Sequence, residues 1–569
     1  MANQRVRDLT TGTPWKLLLF VNCLRMTIQG LGFSGVAVIA GVLEMLARGG
    51  VGVLLVPVFG FNAVSIGSPA AWVFANIVLI PTYLICMRKQ GKWLTTQPVC
   101  AIISWIMKFG GVGMANQRVR DMTTGTPWKL LLSFMLPLVG GNLFQQVYSM
   151  VDTIIVGRTL GVDALAGVGS TGSVSFLVMG FCMGITSGCA IPVAQKFGEK
   201  DYIGLRKYVG NMIWLCAGIA LLFTVTTTVL CKQILTWMNN PADTFHYAYN
   251  YIFWTFMGIP FTMTYNLLAG VIRSLGDSKT PLYFLIFSSC LNVVLDLLFI
   301  VVFHMGVMGA SIATVISQAV SGILCLGLIV KNYPILKLSK EDLIPERFYL
   351  LRLASMGVPM GLQFSITALG GTVLQTTVNG LGTASMAAMT AGNKVSLFLD
   401  CPLSAFGTAM ATFAGQNLGA GRLDRVRKGF RSSAMIGIGY CAVLAVVAYF
   451  WGKPIALLFL DGASQEVLDL CWQFLMCNSA LFVFLLFVFL LRMTLQGLGY
   501  SPIVVIAGVL EMFARAGVAM ALVPFFGFTA VCVANPAAWI AADLFLAPTY
   551  IICMRRLEKK QREKEWTAA

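Results

Sequence analysis

Apolar runs of about 20 residues, long enough to cross the hydrocarbon core of a bilayer, follow one another along nearly the whole chain. Nothing else in the sequence limits the fold so severely, because a backbone in hydrocarbon must satisfy its own hydrogen bonds. Charged residues make up only 11% of the 569, against 57% hydrophobic, and mean hydropathy is +0.80. So few charges could not cover a water-soluble protein of this length, and no stretch reads as a soluble domain. The expected fold class is an all-α integral membrane protein. The start, M-A-N-Q-R-V-R-D, is polar, so no cleavable signal is expected. The fifteen Cys, among them Cys182, Cys216 and Cys290, carry no paired spacing and read as small apolar packers, not as a disulfide or zinc framework.

The chain also repeats its own punctuation. A-Q-K-F-G at Ala194 to Gly198 and G-Q-N-L-G at Gly415 to Gly419 each close a pair of apolar segments and open a short charged loop. Pro137 and Pro359 stand 222 positions apart, Gln195 and Gln416 221, and Gly276 and Gly499 223. Near-constant spacing of this kind marks two similar halves, and in a membrane protein it points to a transporter whose halves enclose a substrate path. From Met114 onward twelve spans are expected, at roughly 131–157, 164–194, 208–231, 248–271, 282–303, 307–330, 349–378, 383–414, 433–451, 464–491, 502–523 and 530–554. Arg206, Lys207, Lys279, Lys331, Lys337, Lys340, Arg422, Arg425, Arg427, Lys428 and the tail from Arg555 to Lys564 fall on one side. The opposite loops carry little more than Arg158, Lys232 and Lys453. Both termini of this unit are therefore expected in the cytoplasm. Six spans per half is even, so the halves should be related by an axis along the membrane normal. The net charge of +17 is mostly this bias, and no basic cluster is interleaved with aromatics as a nucleic-acid binder requires.

The first 113 residues differ in kind. Met1 to Leu19 repeats at Met114 to Leu132 with one change, Leu9 against Met122, and Phe20 to Arg88 matches Phe487 to Arg555 without a gap. The expected organisation is a truncated paralogue remnant at 1–93 with two extra spans, near 35–57 and 63–86, followed by a spacer at 94–113. The first lobe then occupies 114–332, a cytoplasmic linker 333–347, and the second lobe with its basic tail 348–569.

Charge inside the membrane is costly and marks function. By these boundaries spans one to six hold two ionisable residues, Asp152 and Asp296, and no Lys or Arg. Both acids fall at similar depth in the outer half, Asn292 precedes Asp296 by four residues on the same helix face, and Thr314 comes to about the same level. Two acids, an amide and a hydroxyl at one depth suit a proton or a small hard cation, and two carboxylates close together in low dielectric should not both stay charged. The bland reading is that the acids only hydrogen-bond loose backbone near helix breaks. The second half carries Lys394 and Asp400 in span eight, Glu511 and Arg515 in span eleven, and Asp543 in span twelve. Glu511 stands four residues before Arg515, the favourable order for a pair along a helix. Most of this set reads as a structural ion network, with Asp400 or Asp543 left to face a cavity. The remnant keeps the pair as Glu44 and Arg48 but has Asn76 in place of Asp543.

Other motifs carry little. Gly167-Val-Gly-Ser-Thr-Gly172 fits a dinucleotide pattern, but it lies in an apolar span and reads as a close helix-packing face. Only His246 and His304 exist, too few for a histidine metal site or a partnered nucleophile. There is no Walker sequence, so neither ATP hydrolysis nor enzyme chemistry is expected.

The strings V-D-T-I-I-V-G at Val151, R-S-L-G-D-S-K-T-P at Arg273 and L-N-V-V-L-D-L-L-F-I at Leu291 resemble the multidrug and toxic compound extrusion (MATE) family, in its DinF-like bacterial branch. So do G-A-S-I-A-T-V-I-S-Q at Gly309, A-T-F-A-G-Q-N-L-G-A at Ala411, L-Q-G-L-G-Y-S at Leu495 and A-N-P-A-A-W at Ala534. The resemblance covers Met114 to the end and implies twelve helices in two pseudo-symmetric six-helix lobes forming a V around a central cavity. It implies export of organic cations in exchange for H⁺ or Na⁺, with no other cofactor, by a monomer. The family's first-lobe cation site maps onto Asp152, Asn292, Asp296 and Thr314. Other branches carry a Glu in span seven, where this chain reads Gln363-Phe-Ser-Ile-Thr-Ala-Leu369, so Gln363 joins Asp400 and Asp543 as a candidate for the substrate cavity. The alternatives are a flippase for a lipid-linked oligosaccharide, which should line its cavity with Arg and Lys, and a fusion product without activity.

Overall fold

The computed structural model describes residues 120–569 except 239, 458–463 and 569, and in them regular structure is entirely helical. The remnant at 1–93, its two extra spans and the spacer lie outside the described residues. In the first half the elements are α1 Pro127–Leu160, α2 Val162–Ser170, α3 Gly172–Glu199, α4 Tyr202–Val229, α5 Cys231–Trp237, α6 Ala242–Met257, α7 Ile259–Ser274, α8 Lys279–Asp296 and α9 Val307–Asn332. In the second half they are α10 Arg347–Asn379, α11 Thr383–Gly419, α12 Leu423–Leu457, α13 Gln465–Ala480, α14 Phe482–Gly497, α15 Ser501–Ala521, α16 Val523–Phe526 and α17 Phe528–Ala568. Among the described residues ten helices are long and apolar enough to cross a membrane alone; α6 with α7 and α13 with α14 complete two more when each bent pair is taken as one span, giving twelve. The expected span at 164–194 is broken, since α2 ends at Ser170 and α3 starts afresh after Thr171.

The duplication is written into the backbone. Left-handed φ values recur at Gly161 and Gly382, Lys200 and Gly421, Gly276 and Gly499, and Gly306 and Gly527, each pair at the repeat spacing. The bends recur as well, at 46° in the fourth span and 49° in the tenth. Gly276 shows why the residue type is fixed. At φ +82 a Cβ would lie 2.1 Å from the carbonyl oxygen of Arg120, so a side chain is excluded by strain and by space.

The halves meet where α3 lies on α10 and where α11 crosses α1 and α3. Gly184 and Gly188 face Gly361 and Gly357, two small-xxx-small pairs. A Cβ on Gly184 would stand 2.6 Å from Gly361 Cα, and one on Gly188 2.6 Å from the Met356 carbonyl. At the end that carries the basic loops, the two repeat motifs close on each other. Gly198 abuts the Gln416 carbonyl and Gly419 the Gln195 carbonyl, leaving no room for a Cβ on either. Two amides cross the seam in mirror fashion: Gln195 Nε2 donates to the Gly497 carbonyl at 2.9 Å and Gln416 Nε2 to the Ser274 carbonyl at 2.8 Å. Gln416 also accepts from the Met122 amide at 2.9 Å. The start of α1 completes the core of the second half, with Leu130, Leu131, Phe134 and Met135 buried in the same cluster as Phe406, Met410 and Phe413.

The segment joining the halves is clamped onto α4. Asn211 Oδ1 accepts from the Glu346 amide at 2.8 Å, Trp214 Nε1 donates to the Leu343 carbonyl at 2.7 Å, and Lys207 pairs with Glu346 at 2.8 Å. Asp342 accepts from the Ser339 amide and hydroxyl, both at 2.8 Å, and pairs with Arg206 at 3.3 Å. Burial alone would push the Asp342 carboxyl up, but Ser339 and Arg206 outweigh it and hold it below the ordinary value. A lowered folded value means that this contribution is complete above the ordinary carboxylate range and is lost as pH falls through the folded value. Gly210 touches the same segment: a Cβ there would stand 1.9 Å from the Asp342 carbonyl, whereas Gly218 on the same helix has nothing within 4 Å. Gly210→Ala is therefore expected to destabilise the protein by about 1–3 kcal/mol and Gly218→Ala to leave it nearly unchanged. Thermal unfolding in detergent checks this, and equal melting temperatures for the two variants would refute the clamp.

Candidate functional site

Three helices of the first half bring its acids together. Asp152 comes from α1, Asn292 and Asp296 from α8, and Thr314 from α9, with α8 packed on both α1 and α9. Asp296 and Asn292 are buried. The carboxyl groups of Asp152 and Asp296 lie within hydrogen-bonding reach of each other. With its amide turned so that donor meets acceptor, Asn292 donates to Asp296 Oδ2 at 2.8 Å and accepts from the Thr314 amide at 3.0 Å and hydroxyl at 3.1 Å. One oxygen of each acid, Asp152 Oδ1 and Asp296 Oδ1, is buried without a hydrogen-bond partner. No Lys or Arg pairs with either among the described residues. Two carboxyls with spare oxygens, an amide and a hydroxyl can share one proton, or can offer hard oxygen ligands to a small cation. Among the described residues no group of three His, Cys, Asp or Glu could hold a metal ion.

Two tyrosines belong to this cluster that sequence reasoning did not select. Tyr148 stands near Thr314 and both acids, and Tyr251 of α6 near the same pair. Tyr148 had a readable signal, since it precedes Asp152 by one helical turn on the same face. A further feature had none: directly after Asp296 the helix widens into a π-helical stretch, Leu297–Val302, a distortion frequent at functional sites.

The second half departs from the expected network. Glu511 is held from two sides, by Arg515 at 3.0 Å and by Arg492 of α14 at 2.6 Å, all three side chains buried. Arg515 Nε also donates to Asn535 Oδ1 at 3.0 Å. Arg492 was outside the expected tenth span, which stopped at 491, although α14 runs on to Gly497. Lys394, expected within this network, is exposed and takes no part in it. Asp543 stands near Arg492 and Glu511, and both of its oxygens lack hydrogen-bond partners. Asp400 lies elsewhere, in a cavity of about 180 Å³ lined also by Asn393, Ser396, Asn478, Asn535 and Trp539. Gln363 is buried and accepts from Gln496 Nε2 at 2.8 Å, inside the second half.

One further basic residue of the first half lies on a helix, although the expected span boundaries left it outside. Arg273 was placed in a loop after a fourth span ending at 271, but it occupies the last turn of α7. It lines a cavity of about 120 Å³ between the halves. Missing positive charge therefore no longer excludes an anionic cargo.

The model of the MatE family matches twice, over residues 137–298 and 359–520, one copy in each half. The chain belongs to the MatE family. Its likeness to YoeA of Bacillus subtilis (strain 168), named a probable multidrug resistance protein, is 31% identity over 63% of this chain and 78% of that protein. A FAD transporter of Shewanella oneidensis is 22% identical over 60% of this chain and 76% of its own length. Among solved structures, the outward-facing conformation of a multidrug resistance MATE family transporter aligns with a TM-score of 0.73 at 20% identity. It covers 78% of this chain and 98% of that one. Membership fixes a multi-pass membrane protein of a transporter family with the twelve-helix fold.

A buried carboxylate that loses its charge strands two guanidiniums. Glu511→Gln is thus expected to cost about 3–5 kcal/mol, read as a lower melting temperature with unchanged membrane insertion. A variant melting with the parent would deny the network its structural part.

Proposed function

We propose that this chain is a secondary active exporter of the DinF-like branch, moving organic cations out of a bacterial cell across the inner membrane in exchange for H⁺ or Na⁺. The observation that carries the reading is the Asp152–Asp296 pair, two acids in contact with oxygens to spare and no base beside them. One proton or one Na⁺ satisfies such a pair, and so does a cationic cargo, but not both at once. Competition for the same carboxylates couples the two fluxes. The seam supports the geometry: with the basic end taken as cytoplasmic, Gln195 and Gln416 close the inner side, the arrangement of an outward-facing state. An incoming ion then neutralises the acids and loosens the cargo outside. Parting of the glutamine contacts opens the inner side, where the ion leaves.

Asp296→Asn preserves shape and the Asn292 contact while removing one charge. It is expected to leave expression intact and reduce ethidium efflux to the background of cells lacking the protein; full efflux in that variant would reject the pair as the coupling site. The reading assigns transport to Met114 onward, as a monomer, with residues 1–113 a fusion remnant. A chain of residues 114–569 is thus expected to export ethidium as well as the whole, and complete loss on deletion would overturn that assignment.

A further inference from the structure

The buried guanidiniums of the second half, Arg492 and Arg515, both meet Glu511 within 3.0 Å. Arg273 does not follow this pattern. Among the described residues it makes no ion pair and no hydrogen bond. It sits on the wall of the cavity between the halves, where Ser187, Thr408 and Thr412 supply hydroxyls and Met360, Phe364 and Met493 an apolar face. A guanidinium left without a carboxylate inside the protein is costly, and its flat fork of donors matches a carboxylate better than any other common organic group. The neighbouring residue places it further. The Ser274 carbonyl takes the crossing bond from Gln416, and the Ser274 hydroxyl donates to the Ala190 carbonyl at 2.8 Å. Arg273 therefore stands on the cavity side of the seal between the halves, on a wall that both halves build.

We propose that Arg273 is an anion subsite of the cargo cavity, binding the carboxylate of a zwitterionic organic cargo. The proposal rests on the exporter reading and adds a determinant that the acids cannot supply: selection of cargo carrying a negative group over cargo that is purely cationic. The hydroxyls beside Arg273 can serve the carboxylate's remaining lone pairs, and the Met and Phe wall suits an aromatic body.

The test uses the whole chain, purified and reconstituted, with norfloxacin as the carboxylate-bearing probe, its decarboxylated analogue, and ethidium as the carboxylate-free cation. Arg273→Gln is expected to lower the norfloxacin-to-ethidium transport ratio about tenfold, the worth of one charge-assisted contact, with Arg273→Lys falling between. The decarboxylated analogue should be indifferent to the substitution. Binding of each probe to the detergent-solubilised protein, followed by tryptophan fluorescence, should show the same selective loss. An unchanged ratio in transport and binding overturns the subsite. So does an equal fall for all three probes at an unchanged melting temperature, which would make Arg273 part of the seal. A thermal shift with inorganic phosphate that disappears in Arg273→Gln while norfloxacin binding persists would assign the site to a free anion and also overturn the proposal. If the unaltered protein moves none of the probes, the exporter reading fails by itself, and the binding series still decides the subsite. Should Arg273→Gln not insert, Arg273→Lys carries the same comparison.

Discussion

The structure depends on backbone meeting backbone along the seam between the two halves. Lipid gives helices no hydrophobic reason to associate, so contact area and hydrogen bonds must hold them. Gly184, Gly188, Gly357 and Gly361 remove the side chains that would keep α3 and α10 apart. At the basic end the contact becomes reciprocal, with Gly198 and Gly419 each resting on the carbonyl of the other half's glutamine. A contact that tight has two conditions, made or broken, with little between. That is the property the proposed alternation of the halves needs.

Charge is distributed so that the two halves differ where their backbones agree. The second half buries Arg492 and Arg515 around Glu511 and so neutralises them within the protein. The first half leaves Asp152 and Asp296 against each other and Arg273 alone at a cavity. Intramembrane charges without a partner have no structural return that would offset their burial. In the proposed reading ion coupling and cargo selection belong to the first half, while the second is stiffened by its ion network and keeps Asp400 and Asp543 outside it.

Much of this was legible in the chain. Asp152, Asn292, Asp296 and Thr314 could be set at one depth from helical rise and span direction alone, because those quantities are fixed by geometry. What failed was the ending of spans. Arg273 and Arg492 each follow an apolar run by one or two residues, where hydropathy falls and a basic residue reads as an anchor at the water boundary. In both cases the helix continues, carrying the arginine back into the protein. Lys394 erred in the other direction, being inside a span by position and exposed in fact. Hydropathy reports the average around a helix and says nothing of the face on which one residue sits.

The sequence by itself determined that the chain from Met114 onward is built of apolar spans, twelve in number, and that it is built twice, because span length and repeated turn residues are local and additive. Only the tertiary structure decided which charges are paired. Arg492 meets Glu511 across 19 positions, and Gln416 reaches Ser274 across 142. Those distances are closed by packing, which no local pattern encodes. Tyr251 joining the acids and Arg273 turning to the cavity are of the same kind, since each depends on how one helix is rotated against its neighbours.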